Sequence, residues 1–528
     1  MRKLAFALLA LWPAQSFCTS YFLSANGNDT SAGTSPAAPW KTLARLSRAK
    51  FSPGDQICLR GGDSFTGTVS VVTNGLTIKS YGAGQATIDA GNGDGVDIYN
   101  AGGTAVIGLT IEGGWDSVSQ SGNTGFGVSA FSNLLGDQKL PGPTLRNLTI
   151  HGFQQCGIAI GAYPSDGSQS GFANVVITGC RVYSNGQAGI ESYGYFDVAA
   201  KTYAHVGFFV DGCTVYDNEG IVGYGDNTGN GIVLGDVQNA TIQFCEAYEN
   251  GALNGFWGAG PVGIWAWDSD HVTIQNCESH HNQTLTVDGD GFDLDGGVTN
   301  SVVQYNYSHD NAGSGLLIAE YVGAKPQSNL TYRYNISQND GVSNGGGLVL
   351  WNGGPGVHDC EFYNNTVFTN QNSPAVSIQN DVQDVTFRNN VVASSHSNLV
   401  EASIGQVNVV FQGNDYWADC APFSINWNGE NVTSLAAWRA LGQETFSSQS
   451  VGMWADPAYY SMGSGQTLGN PSLFSFLTSY RLKPGAPLIG KGIPMSNFGV
   501  NPGLYDFYGA HLRQTAPDIG ATQDRVGS

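Results

Sequence analysis

Short runs in which apolar and polar residues alternate recur along most of the chain, each closed by a turn. The segments VVITGCRVYSN, FFVDGCTVYDN, TIQFCEAYEN and TIQNCESHHN carry Cys180, Cys213, Cys245 and Cys277, which are 33, 32 and 32 residues apart. An Asn follows five residues past each Cys, at Asn185, Asn218, Asn250 and Asn282. The pattern continues without Cys in VVQYNYSHDN and TYRYNISQND and regains it in VHDCEFYNN at Cys360. A second run follows in each repeat: GIES from Gly189, GIVL from Gly231, GIWAW from Gly263, GFDLD from Gly291, GLLIA from Gly315 and GLVLW from Gly347. A helix would need apolar positions three and four apart over ten or more residues, so these short alternations are strands. Two strand ladders with one common period of roughly 25 to 33 residues predict an all-β solenoid, its coils stacked at about 4.8 Å.

The periodic cysteines then read as a buried stack of small thiols, with disulfide pairing of adjacent cysteines through the stack as the alternative. The repeated Asn reads as a turn residue that tolerates left-handed backbone and bonds its own copies along the stack. Composition narrows the class. Lys, Arg, Asp and Glu total 63 of 528 residues, 74 are Gly, 19 are Pro, and the net charge is −21. So few charges of such a sign argue against a nucleic-acid binder and a coiled coil, and Gly without a three-residue period excludes collagen. Arg2 and Lys3 precede an apolar run from Leu4 to Trp12, the layout of an export signal over residues 1–20. The chain is therefore expected to be secreted, extracellular or periplasmic, monomeric and without a membrane span, since no other stretch approaches about 20 apolar residues.

Stacked coils with an Asn turn ladder resemble the single-stranded right-handed parallel β-helix of the pectin-lyase-like superfamily. The opening YFLSANGNDTSAGTSPAAPWKTLARL resembles the strand and amphipathic helix that cap many secreted members, and FSPGDQICLRGG resembles their first coil. SLAAWRALGQET, ADPAYY, YRLKPGAPLIGKG and DFYGAHLRQTAPDIGA resemble their recurrent carboxy-terminal elements. The implied layout is a cap and first coil over 21–60, a β-helix over 61–415 and terminal coils with a capping segment over 416–528. The resemblance speaks for fold more than for chemistry, because that superfamily holds lyases, hydrolases, epimerases and non-enzymatic repeats.

In the second ladder the residue after Gly points inward and the next outward. Outward positions are then Glu191 and Tyr193, Trp265 and Trp267, Asp293 and Asp295, and Trp351, with Glu320 at a strand end diagonal to Asp295. Carboxylates beside indoles are a sugar-binding surface, since aromatic faces cover C–H faces and carboxylates bond hydroxyls. Asp293 and Asp295 stand roughly 6.5 to 7 Å apart at their roots, inside the window of about 6.5–9.5 Å for an acid and base that activate water across a glycosidic bond. The expected catalytic groups are Asp293 and Asp295 with Glu320 as substitute partner. Trp265, Trp267, Trp351, Tyr193, Glu191 and His309 are expected to hold substrate, and Asp288 and Asp290 are a possible calcium pair. No cofactor is required. His271, His280 and His281 read as surface turn residues, and the absence of His-x-x-x-His or Cys-x-x-Cys spacing gives no zinc motif.

From residue 202 to 324 there is no Lys or Arg, against sixteen Asp and Glu. Elimination from a uronate needs a base and cations for the carboxylate. DGFDLD resembles the strand of a calcium-dependent pectate lyase family, but Asp295 stands where that family has its catalytic Lys. A polysaccharide-degrading hydrolase on a neutral or weakly charged glycan is therefore the leading expectation. A calcium-assisted lyase or uronan epimerase and a non-catalytic glycan-binding solenoid are the alternatives.

Overall fold

The computed structural model describes residues 18–396, 398–419 and 421–524. The expected export signal falls largely on residues 1–17 and to that extent lies outside the described residues. Each coil contributes three strands in fixed order, exemplified by Asp270–Gln275, Glu278–His280 and Asp290–Leu294. Like strands stack in parallel into three sheets of 15, 14 and 14 strands, here sheets I, II and III in coil order, with one antiparallel strand, Glu430–Val432, ending sheet III. The two ladders read from the sequence are sheets I and III. Sheet II escaped because most of its strands are three residues long, too short to show a period.

Ile and Val from all three sheets fill the lumen, with Ile232, Ile242, Ile264, Ile274, Phe292 and Leu294 wholly inaccessible. Cys180, Cys213, Cys245 and Cys277 lie buried and unpaired at the turn from sheet I to sheet II, and the Cys245 amide donates to the Cys277 sulfur at 3.4 Å. The same position continues as Asn306, Asn335, Asn365, Asn390 and Asn414, each side-chain amide donating to the next Asn carbonyl at 3.0–3.1 Å, until Glu444 accepts from Asn414 at 2.8 Å. Cys360 departs from the expected pattern: it pairs with Leu330 and Val385 inside sheet I, and Asn365 occupies the turn.

A second ladder joins Asn185, Asn218, Asn250, Asn282, Asn311 and Asp340, with amide-to-oxygen distances of 2.8–3.0 Å. The left-handed residue of these turns is the one before each Asn: Ser184, Asp217, Glu249, His281 and Asp310 all have φ between 52° and 56°. The Asn therefore serves as the bonding member and its predecessor absorbs the backbone cost.

At the N-terminal end Ser20–Leu23 joins sheet I beside Gln56–Arg60. The expected amphipathic helix is a 3-10 helix, Leu43–Arg48, which buries Leu43 and Leu46. At the other end Leu435–Ala440 is α-helical, capped by the Ser434 hydroxyl on the Ala437 amide and anchored by buried Trp438. The remaining chain runs back along sheet II. Leu468 and Gly469 donate to Glu278, Gly465 exchanges bonds with Gln338, and Ala521 donates to Thr366.

Candidate active site on the outer face of sheet III

Register puts Glu191, Val233, Trp265, Asp293, Leu317 and Val349 in one outward row, as the alternation predicts. A second row holds Gly161 beside Tyr193, Gly235 beside Trp267 and Ala319 beside Trp351. A Cβ on Gly161 would stand 2.2 Å from the Tyr193 ring, and one on Gly235 would stand 2.4 Å from the Trp267 indole. Both rings therefore lie down across a glycine of the preceding coil.

Not every expected residue is free to meet a ligand. Trp265 is 6 % exposed, and its indole N–H donates to Asn230 at 3.1 Å, so it forms the floor beneath Asp293. Asp293 points outward but is only 2 % exposed, while Asp290 and Glu320 are wholly buried. Asp290 Oδ2 and Asp293 Oδ1 are buried without a hydrogen-bond partner. Asp288 and Asp295 remain partly open to solvent. Glu191 accepts the Cys156 thiol at 2.8 Å and the Gln187 amide at 3.1 Å. Trp351 is exposed and leans toward Gly353 at the sheet corner. His309 is not in this cleft: it lies on sheet II, 1 % exposed, because its strand Tyr307–His309 belongs to the short sheet that the sequence reading merged with the first ladder.

Loops build the walls. Asp288 Oδ2 accepts the Gly260 amide at 2.7 Å, its own amide donates to Asn344 at 3.2 Å, and Asn344 donates back to its carbonyl at 3.0 Å. Loops of three coils thus fix Asp288. The Asp295 carboxylate accepts from the Gly296 amide at 2.6 Å, and its own amide donates to the Ala266 carbonyl at 2.8 Å. On the far side Phe196 packs against Trp267 with centroids 6.1 Å apart. Exposed Phe196 escaped sequence reasoning because it stands in a loop with no repeat to set its register; Tyr224 and Trp257 are further exposed loop aromatics. Only their aromatic character in Gly-rich loops was available as a signal.

Burial sets the protonation states. It pushes Asp288 up to about 6. It pushes Asp295 up to about 7, with the Asp288 charge adding to the rise. Asp290 and Asp293 go well above the ordinary range, again by burial first and then by neighbouring aspartates, and Glu320 rises to about 8 through burial and the Asp295 charge. Between about pH 6 and 7 the two accessible carboxyls can therefore hold opposite protonation states. Among the described residues the one group of three His, Cys, Asp or Glu side chains with ligand atoms mutually within 4.8 Å is Glu278, His280 and His309, and it does not include Asp288 or Asp290.

Residues 135–367 match the family model described as the right handed beta helix region. The fold is accordingly a right-handed parallel β-helix. A lacto-N-biosidase of Bifidobacterium longum is 38 % identical over 104 residues, 20 % of this chain and 6 % of that protein's length. The GH136 lacto-N-biosidase of Eubacterium ramulus superposes with a TM-score of 0.52 at 19 % identity, covering 70 % of this chain and 68 % of its own; its selenomethionine form gives 0.52 at 20 %, covering 70 % and 67 %. No helix among the described residues is long and apolar enough to cross a membrane.

Proposed function

We propose that the protein is a secreted, monomeric glycoside hydrolase acting on a neutral or weakly charged glycan, with Asp288 and Asp295 as the reacting carboxyls. The observation that carries this reading is the division of the aspartate cluster: Asp288 and Asp295 keep solvent access and titrate near 6 and 7, whereas Asp290 and Asp293 are covered. Between those values Asp288 is an anion that can attack or activate water, and Asp295 is an acid that can protonate the leaving oxygen. Asp293 backs the pair as a neutral group. Trp267 and Tyr193 offer ring faces to sugars.

The local identity to a protein named a lacto-N-biosidase supports hydrolysis over elimination. So does the environment of Lys325, the first cation after the basic-free stretch, which is paired with Asp268 at 2.6 Å and is not a free base. The net charge of −21 disfavours a polyanionic substrate. The test is a panel of neutral oligosaccharides, including lacto-N-biosides, with products analysed by mass. Products carrying one added water are expected, with loss of about 10²–10⁴-fold in rate for Asp288→Asn and Asp295→Asn at unchanged circular dichroism. Unsaturated products, or full activity in both variants, would overturn the assignment.

A further inference from the structure

A second concentration of ionisable side chains lies on the outer face of sheet II, under the returning C-terminal segment. Glu246 pairs in register with Glu278, and His280 with His309. His280 Nε2 is 3.2 Å from Glu246 Oε1, and His309 Nε2 is 3.3 Å from Glu278 Oε1. All four side chains are at least nine-tenths buried, and Glu278, His280 and His309 each place a potential ligand atom within 4.8 Å of the others.

The opposite ring nitrogens are already engaged. His309 Nδ1 lies 2.9 Å from Asp310 Oδ2, and His280 Nδ1 lies 2.9 Å from His281 Nδ1. The two rings stack with centroids 4.7 Å apart and planes 8° from parallel. In the tautomer with hydrogen on Nδ1, both Nε2 atoms offer lone pairs beside the carboxylates, and one cation shared by these groups is a partner that suits nitrogens and carboxylates alike.

We propose that Glu246, Glu278, His280 and His309 bind one divalent transition-metal ion of the zinc type. Two imidazole nitrogens and two carboxylate oxygens are a donor set suited to zinc, and four protein ligands with no open position define a structural site. Asp310 acts as the outer carboxylate that fixes the tautomer of a ligating His. Tetrahedral bonds of about 2.0–2.2 Å place ligand atoms roughly 3.4 Å apart, close to the 3.2 and 3.3 Å of the two His–Glu contacts; Glu278, His280 and His309 stand within 4.8 Å of one another, and Glu246 joins them through its contact with His280. Glu278 also accepts the Leu468 and Gly469 amides at 2.8 and 3.0 Å, so the ion fastens the returning segment to the coils. The site is separate from the sheet III cleft and does not depend on the glycosidase reading.

The test uses tag-free full-length protein equilibrated with zinc and dialysed. Elemental mass spectrometry is expected to find about one zinc per chain. Cobalt(II) added to chelator-treated protein is expected to give the visible bands of a four-coordinate ion, and chelator should lower the unfolding midpoint. Glu246→Gln and His280→Gln should lose the ion at least tenfold more readily; if these variants fail to fold, the zinc content and cobalt spectrum of the parent decide alone. Zinc-free protein after equilibration, a parent without cobalt bands, or folded variants that retain zinc as well as the parent would overturn the proposal.

Discussion

Trp265 and Asp293 are register partners on adjacent strands of sheet III, so the indole forms the floor under a carboxyl that burial raises well above the ordinary carboxylate range. The floor is itself fixed by the Trp265 bond to Asn230. Trp265→Ala opens a cavity and removes that bond, and it is expected to cost roughly 3–5 kcal/mol; Trp265→Phe, which keeps most of the ring volume, is expected to cost less than half of that. Denaturant unfolding of both variants checks this. Equal losses would mean that the hydrogen bond, and not the filled volume, holds the floor.

The accessible pair gives a pH prediction with a definite sign. Asp288 ionises near 6 and Asp295 near 7, the latter raised in part by the Asp288 charge. Hydrolysis should be fastest between those values, where Asp288 is ionised and Asp295 is protonated. Replacing Asp288 by Asn removes the neighbouring anion, so Asp295 should titrate below 7. Carboxyl-carbon NMR of the labelled protein reads this directly, and an unmoved or higher Asp295 value would show that the two groups are not coupled.

Asp340 ends the second amide ladder, accepting from Asn311 at 2.8 Å and from the Ser337 hydroxyl at 2.7 Å, yet burial raises it to about 7. For an acid raised in the fold, its contribution to stability is intact below the ordinary carboxyl value near 4. It is lost as pH rises toward 7, because over that range the unfolded chain has released the proton and the folded chain has not. The loss amounts to up to about 4 kcal/mol. Asp340→Asn should therefore gain stability relative to the parent between pH 5 and pH 8, at a pH where the parent is penalised, and show no such gain below pH 4. A difference in melting midpoint that does not change with pH would refute this account.

Period and parity were legible because they repeat. The second ladder's inward and outward positions follow from alternation alone, and Trp265, Asp293 and Leu317 fall in line as counted. What repetition cannot show is what covers an outward residue. Asp293 and Asp295 share one parity, but the strand ends at Leu294 and only Asp295, just past it, keeps solvent access, while Asp288 enters the site through loop contacts with Gly260 and Asn344. Alternation assigns His309 to the wrong surface because strands such as Glu278–His280 and Tyr307–His309 are too short to announce a third sheet. The same merging hid the meeting of Glu278, His280 and His309, whose spacing matches no linear metal motif and arises only from stacking one coil on the next.

Gly235 gives the sharpest link between coil geometry and ligand binding. Trp267 lies across it so closely that an added Cβ would stand 2.4 Å from the indole Cε2 and Nε1, far inside van der Waals contact. Gly235→Ala must therefore lift or turn the Trp267 ring while leaving the inward core residues Leu234 and Ile232 untouched. If Trp267 is a sugar platform, KM should rise about 10-fold or more, the loss of one stacking contact of roughly 1.5 kcal/mol, with kcat changing far less. Tryptophan fluorescence reports the ring's displacement independently. A shifted spectrum with an unchanged KM would remove Trp267 from the substrate path and leave the exposed loop aromatics Phe196, Tyr224 and Trp257 to hold the glycan.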